Sequence, residues 1–303
     1  MRWRTRATPP CCGTRPPSRR SSPSSARCRE GTAGTRQGEI AMGARDGAFD
    51  HGPASGEVLI LHGFTDLLAP DMRVRLMASL SPEEEARRRA FAFPRDRDLF
   101  LLAHAVKRLA LGRCLGVDPQ DLAFARDPSG KPFLAGPFLA GPSQAGAGPG
   151  FSLSHSGTAV AVAIAGTPLV GVDVEAHVRE VPLEAMAMIM ADAEVADLSA
   201  AGAAARPRAF AYWTLREAFA KAVGLGLSLP PNDVSFQLAG SGPAGQEAPA
   251  VAHLAGHLGA AGDWHLHQCD LGPDYLLAAA VRAPCPVVWR LMPMERFLAG
   301  TTP

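Results

Sequence analysis

The segment Tyr212 to Pro230, YWTLREAFAKAVGLGLSLP, limits what this chain can fold into more than any other. Up to Val223 it reads as a helix, and Phe210, Ala211, Tyr212, Trp213, Leu215, Ala218, Phe219, Ala220, Ala222 and Val223 cover almost every direction around its axis. A helix with one apolar stripe lies on a surface, whereas one that is apolar all round must be enclosed. Glu217 and Lys221 stand within this apolar wall, and such residues are seldom buried unless paired. As an ordinary i,i+4 pair on an exposed helix they would contribute only about 0.2–0.5 kcal/mol. The other reading is that they form a site.

The rest of the chain supplies layers to enclose that helix. Ser81-Pro82-Glu83-Glu84 is a helix start, with Ser81 as N-cap, proline at the first helical position and Glu84 placed to close a capping box. Pro94 ends that helix. A second begins near Asp96, with Leu99, Leu102, Ala103, Val106 and Ala110 at helical spacing up to Gly112. Three β-prone runs follow, FSLSHSG (151–157), TAVAVAIAG (158–166) and PLVGVDVE (168–175). Helical spacing returns over 182–198 and 206–223, then strands near 234–238, 264–269 and 276–281. Helices followed by strands, twice over, predict an α+β protein of two similar halves. The boundary falls near Gly166, giving an N-terminal half over 57–165 and a C-terminal half over 166–295. Two low-complexity tracts, Lys131–Gly150 with its tandem Pro-Phe-Leu-Ala-Gly, and Gly240–Gly262, read as surface loops.

Composition narrows the class. The chain has 303 residues, 47% hydrophobic and 19% charged, a globular balance, and lacks an apolar run of about 18 residues, so no membrane span is expected. Residues 1–50 are set apart: nine arginines stand against Glu30 and Glu39 in the first forty positions, among many Ser, Pro and Gly. They read as a disordered or mis-started leader with Met42 as the working start. The remainder is mildly acidic, since the whole chain carries +1, and that argues against nucleic acid as the partner. Six cysteines without C-x-x-C or zinc-like spacing fit a reducing, cytoplasmic compartment. A monomer is expected.

Asp173 and Glu175 are two apart in a predicted strand, so they share a face with Cα atoms roughly 6–7 Å apart. Two acids on a solvated strand face are common. The flanking Val170, Gly171, Val172 and Val174 instead suggest a buried strand, and then a cation site. Oxygen donors with water or phosphate completing the shell describe Mg²⁺, and Glu217 would be a third carboxylate. Ser154-His155-Ser156-Gly157 adds hydroxyls and an imidazole at a turn. A structural histidine is the commoner reading there, and no G-x-S-x-G elbow supports a hydrolase.

Four motifs, GKP (130–132), FSLSHSG (151–157), GVDVE (171–175) and WTLREAFAKAVGLGLSLP (213–230), in that order and spacing, resemble the 4′-phosphopantetheinyl transferases of the surfactin-synthetase-activating type, over roughly residues 57–290. The resemblance implies a pseudo-dimer of two α+β halves with the active site at their interface. It implies Mg²⁺-dependent transfer of the phosphopantetheine arm of coenzyme A to a serine of an acyl or peptidyl carrier protein, releasing 3′,5′-ADP. Asp173, Glu175 and Glu217 would hold Mg²⁺, and Glu217 would also take the serine proton. Lys221 would steady the leaving phosphate, and Lys131, Ser154, His155 and Arg216 would add grips on the cofactor phosphates. Such transfer gains most from positioning and charge neutralisation. Two departures from the family pattern stand out: Arg216 replaces a lysine, and Leu99 and Phe100 occupy places where members carry a basic residue, leaving Arg95 or Arg97 as substitutes. Alternatives are a coenzyme A- or carrier-binding protein without catalysis, in which loss of an acid is expected but none is lost, and another Mg²⁺-dependent phosphotransferase.

Overall fold

Strict alternation in AVAVAIA and its neighbours sets up the architecture, because each strand presents a different residue class to each side. The computed structural model describes residue 53 and residues 56–136, 148–177, 181–238 and 248–300. The leader, the second Pro-Phe-Leu-Ala-Gly copy and residues 239–247 lie outside them.

The N-terminal half contains β1 (Glu57–Phe64), α1 (Pro70–Met77), α2 (Pro82–Ala90), α3 (Pro94–Leu115), the hairpin of β2 (Ala123–Arg126) and β3 (Pro132–Ala135), β4 (Gly150–Ser156) and β5 (Ala159–Ala165). The C-terminal half contains β6 (Val170–Ala176), α4 (Leu183–Ala187), α5 (Asp192–Ala200), α6 (Ala205–Val223), the hairpin of β7 (Val234–Gln237) and β8 (Ala250–Leu254), β9 (Trp264–Asp270) and β10 (Tyr275–Arg282). The chain then returns to the first sheet as β11 (Val288–Pro293), followed by α7 (Met294–Ala299). One sheet runs β11-β1-β5-β4, with β11 parallel to β1 and the other pairs antiparallel; the second runs β6-β10-β9, all antiparallel. The protein is thus α+β, with a long helix on a sheet in each half. β11 and α7 join the first sheet although they lie at the far end of the chain.

Side-chain alternation assigns the layers. Val160, Val162 and Ile164 of β5 pack with α3, while Ala159, Ala161, Ala163 and Ala165 meet Val170, Val172, Val174, Leu277, Ala279 and Val281 of the second sheet. Leu276, Ala278 and Ala280 turn the other way, onto α6. On its far side α6 is covered by Met186, Met190 and Leu198 of the α4–α5 region and by Val234 and Phe236 of β7. The enclosure that its sequence demands is therefore supplied by a sheet and a helix–hairpin cap.

Three sequence readings are corrected. The helix expected over 182–198 is broken, because the Glu194 carboxylate accepts a hydrogen bond from Ala191 N–H at 3.0 Å and so starts a new helix. The first Pro-Phe-Leu-Ala copy is strand β3, paired with β2, rather than a loop. Part of the second low-complexity tract is β8, paired with β7. The sequence reading also passed over β1 and β11, whose apolar runs VLIL and VVW lack clean alternation.

Helix α6 rests on β6 at closest range over Gly171: a Cβ there would lie 1.9 Å from Ala218 O and 2.6 Å from Ala222 N. Gly171→Ala should therefore cost more than the about 1–3 kcal/mol usual for overpacking, measured by urea denaturation. A loss under about 1 kcal/mol would show that α6 does not sit at this distance.

Candidate active site

Strand β4 lies beside β6, running the same way, and side chains replace the backbone ladder between them. Ser152 Oγ accepts from Val172 N–H at 3.1 Å, and Ser156 Oγ accepts from Ala176 N–H at 3.2 Å. Between them Ser154 Oγ donates to Asp173 Oδ1 at 2.8 Å, and Ser156 Oγ donates to Glu175 Oε2 at 2.7 Å. The three serines are two apart in SLSHS, so one face of β4 carries them all. Ser152 and Ser156 were not singled out in the sequence, and their period of two was the signal for them.

Asp173 and Glu175 share the face of β6 that meets α6. Lys221 reaches from α6 and donates to Asp173 Oδ1 at 2.6 Å and to Ser154 Oγ at 2.8 Å. Trp213, two turns earlier, donates its indole N–H to Glu175 Oε1 at 3.3 Å. Glu217 lies between them on the helix, while Tyr212, Leu215, Phe219 and Ala222 are buried in the core. The partner of Lys221 is therefore Asp173 across the layer, not Glu217 one turn away. This pairing compensates Asp173, which is only 2% exposed. Its Oδ2 is nevertheless buried without a hydrogen-bond partner, an arrangement that costs about 1–3 kcal/mol or more for a charged group unless something completes it.

The charges act on one another. Burial, and then the nearby Asp173 carboxylate, push the Glu217 carboxyl above its ordinary value, with Glu175 adding to the effect and Lys221 opposing it. His155 is solvent-accessible, yet the atoms packed about its base and the Lys221 ammonium hold its pKa down; Asp96, in the first turn of α3, acts on it in the opposite sense. Ser154, His155, Asp173, Glu175, Glu217 and Lys221 thus come together, with the α3 N-terminus at the margin.

Two expected members are placed elsewhere. Arg216 points away, its Nη2 donating to Glu194 Oε2 at 2.9 Å and to Val234 O at 2.8 Å, and both charged residues are almost completely buried. It is committed to the interface of α6 with α5 and β7, because a guanidinium in that interior needs a carboxylate. Lys131 directs its ammonium to the backbone oxygens of Pro168, Val170 and Ala222 at 2.9, 3.3 and 2.6 Å. A cavity of about 110 Å³ lined by Gly56, Thr167, Arg282 and Cys285 lies toward the Val170 end of β6, away from Glu175.

Among the described residues, no group of three His, Cys, Asp or Glu side chains is close enough to hold a metal ion. The chemistry of the donors still suits a hard cation: all are carboxylate oxygens, Asp173 Oδ2 is unpartnered, and Glu217 is raised by burial and then by its acidic neighbours. Among the described residues no helix is long and apolar enough to cross a membrane.

Comparison with known proteins gives two adjoining matches. Residues 70–167 match the sequence model of the 4′-phosphopantetheinyl transferase N-terminal region, and residues 169–280 that of the 4′-phosphopantetheinyl transferase superfamily. The chain is 33% identical over 182 residues to the 4′-phosphopantetheinyl transferase HetI of a Nostoc species, covering 59% of this chain and 74% of that one. It is 30% identical over 183 residues to the 4′-phosphopantetheinyl transferase Sfp of Bacillus subtilis, covering 60% and 77%. A phosphopantetheinyl transferase of a Thraustochytrium species is 33% identical over 184 residues, and the match spans 60% of its length.

The raised Glu217 carboxyl fixes the sign of a pH effect. In the metal-free protein the folded state keeps a proton that the unfolded chain releases, so stability is greatest below the unfolded pKa and falls as pH rises through the raised folded value. Glu217→Gln should raise the melting temperature of the metal-free protein at neutral pH, with the gain fading near pH ~4, where an ordinary glutamate is half protonated. A gain that is equal at both pH values would contradict the geometry described.

Proposed function

Because the chain belongs to the 4′-phosphopantetheinyl transferase family, we propose that it transfers the 4′-phosphopantetheine arm of coenzyme A to a serine hydroxyl of an acyl or peptidyl carrier protein and releases 3′,5′-ADP. The observation that carries this reading is the knot of Lys221, Asp173 and Ser154, with the unpartnered Asp173 Oδ2 beside it and the raised Glu217 carboxyl acting on it. A protein nucleophile would need a base free to take its proton, and the carboxylate oxygen that accepts from Ser154 is already paired with the Lys221 ammonium. The site sets three acids against one ammonium, an excess of carboxylate that a divalent cation would offset, which suits phosphoryl transfer to an external hydroxyl.

Each side chain has a role in that balance. Lys221 has three donors and spends two of them on Asp173 and Ser154, leaving a third for an oxygen of the leaving phosphate. Ser154 and His155, at the open end of β4, would orient the pyrophosphate. Mg²⁺, held by Asp173, Glu175 and Glu217, would supply charge neutralisation on that pyrophosphate when bound. Glu217 accepts the proton of the carrier serine as its oxygen bonds to phosphorus and the bond to 3′,5′-ADP breaks, and its upward shift brings its basicity closer to working pH. Arg216 has no part in this set because Glu194 and Val234 already hold it. Arg95 and Arg97, at the start of α3, are the cations nearest in sequence to Asp96 for a further phosphate.

The test is mass spectrometry of apo-carrier proteins incubated with the full chain, coenzyme A and Mg²⁺. The expected outcome is a gain of one phosphopantetheine per carrier, together with thermal stabilisation by coenzyme A exceeding that by ATP. Glu217→Gln should lower the single-turnover rate by about 10²–10⁴ through loss of the base, while coenzyme A affinity falls less. Full activity of that variant, or stabilisation by ATP alone, would reject the proposal.

A further inference from the structure

Lys131 and the turn before it are built as a unit. Asp127 Oδ1 accepts the backbone N–H groups of Ser129 and Lys131, both at 2.9 Å, and the Ser129 hydroxyl. The turn closes through Asp127 N–H to Lys131 O at 3.0 Å and Gly130 N–H to Asp127 O at 2.9 Å. This folded loop of the N-terminal half sits on the end of α6 in the C-terminal half. Gly224 terminates α6 in the left-handed conformation, with φ of 77°. A Cβ placed on Gly224 would lie 2.9 Å from Ser129 Oγ and 3.6 Å from Lys131 Cβ. There is no room for another group between loop and helix end.

From this seat the Lys131 ammonium reaches Ala222 O in the last turn of α6 and Val170 O at the start of β6, as well as Pro168 O. A cation at the C-terminus of a helix is favoured by the unpaired carbonyls and by the dipole. The two tied points bracket the site: Ala222 follows Lys221, and Val170 precedes the close contact at Gly171. Three carbonyl acceptors use all three donors of an ammonium, so none remains for a phosphate in this arrangement.

We propose that Lys131 is a positioning residue that staples the end of α6 to the start of β6 and so sets Lys221 and Glu217 over Asp173, rather than a grip on the coenzyme A phosphates. The functional consequence rests on the transferase reading of the site, while the staple itself does not. Loosening it lets the final turn of α6 shift against β6, and displacements of about 1 Å at such sites cost up to about 10²-fold in rate. Affinity for coenzyme A, held by other groups, changes little.

The experiment compares the full-length chain with Lys131→Met, Lys131→Gln and Lys131→Arg. Hydrogen–deuterium exchange is followed in peptides spanning 216–226, and transfer kinetics and coenzyme A affinity are measured alongside. For Lys131→Met, exchange at the end of α6 should quicken by about tenfold or more, kcat should fall roughly ten- to a hundredfold, and KM and Kd for coenzyme A should stay within about twofold. Lys131→Arg, which keeps the charge but offers a planar fork to three converging carbonyls, should recover part of both losses. If Lys131→Met does not fold, Lys131→Gln should show the same split. Unchanged exchange with a tenfold or larger rise in Kd for coenzyme A would overturn the proposal in favour of a phosphate grip. Unchanged exchange and unchanged kinetics would overturn it outright. If the wild type transfers nothing to any carrier, the transferase reading fails, and the exchange comparison alone decides the staple.

Discussion

The close approach of α6 to β6 over Gly171 is the constraint on which the rest of this structure depends. A helix packed on a sheet normally stands off by the length of the side chains between them. Here Ala218 and Ala222 on the helix and a glycine on the strand remove that spacing. The backbones come within reach of short bridges, and a lysine on α6 can meet an aspartate on β6 directly. With larger residues at these positions Lys221 and Asp173 would belong to different layers. Small residues thus serve a chemical purpose here as well as a packing one.

That proximity creates an electrostatic problem which the structure resolves only in part. Three acids and one ammonium meet in an interior where unpaired charge is expensive. Lys221 and Ser154 compensate one oxygen of Asp173. Ser156 and Trp213 attend to Glu175. Glu217 is left with a raised proton affinity and Asp173 with an unpartnered oxygen. By contrast, the more deeply buried Arg216–Glu194 pair has further bonds to Val234 O, Phe236 N–H and Ala191 N–H on its two members. Glu194 is saturated, but Arg216 Nε and Nη1 are buried without partners as Asp173 Oδ2 is, so an orphaned atom alone does not mark a site. What sets Asp173 apart is that its orphaned oxygen lies among further carboxylates, a crowding of charge that is a feature of sites that expect a ligand.

Both halves contribute to the incomplete site. β4 supplies the serines and His155, and β6 and α6 supply the acids and Lys221. The alanine face of β5 lets the two sheets approach, and the loop at Lys131 reaches from the first half to the end of α6. β11 then returns to the first sheet as the parallel neighbour of β1, tying the end of the described chain to its start.

Much of this is legible in the sequence, for identifiable reasons. The α+β class and the paired halves followed from the order of periodicities, which local sequence encodes directly. The shared face of Asp173 and Glu175 followed from the two-residue repeat of a strand, and the enclosure of α6 from its lack of a polar side. The cap at Ser81 appeared as read, with Glu84 completing the box. What the sequence could not decide was which charges meet. Helical spacing puts Glu217 and Lys221 on one face and Arg216 beside them, but which neighbour each one finds depends on what the other layers bring. Glu194 drew Arg216 into the core, Asp173 drew Lys221 across to the strand, and three carbonyl oxygens drew Lys131 to a helix end. Periodicity determines the direction in which a side chain leaves its own element, and only the packing of elements far apart in the chain determines what stands there to receive it.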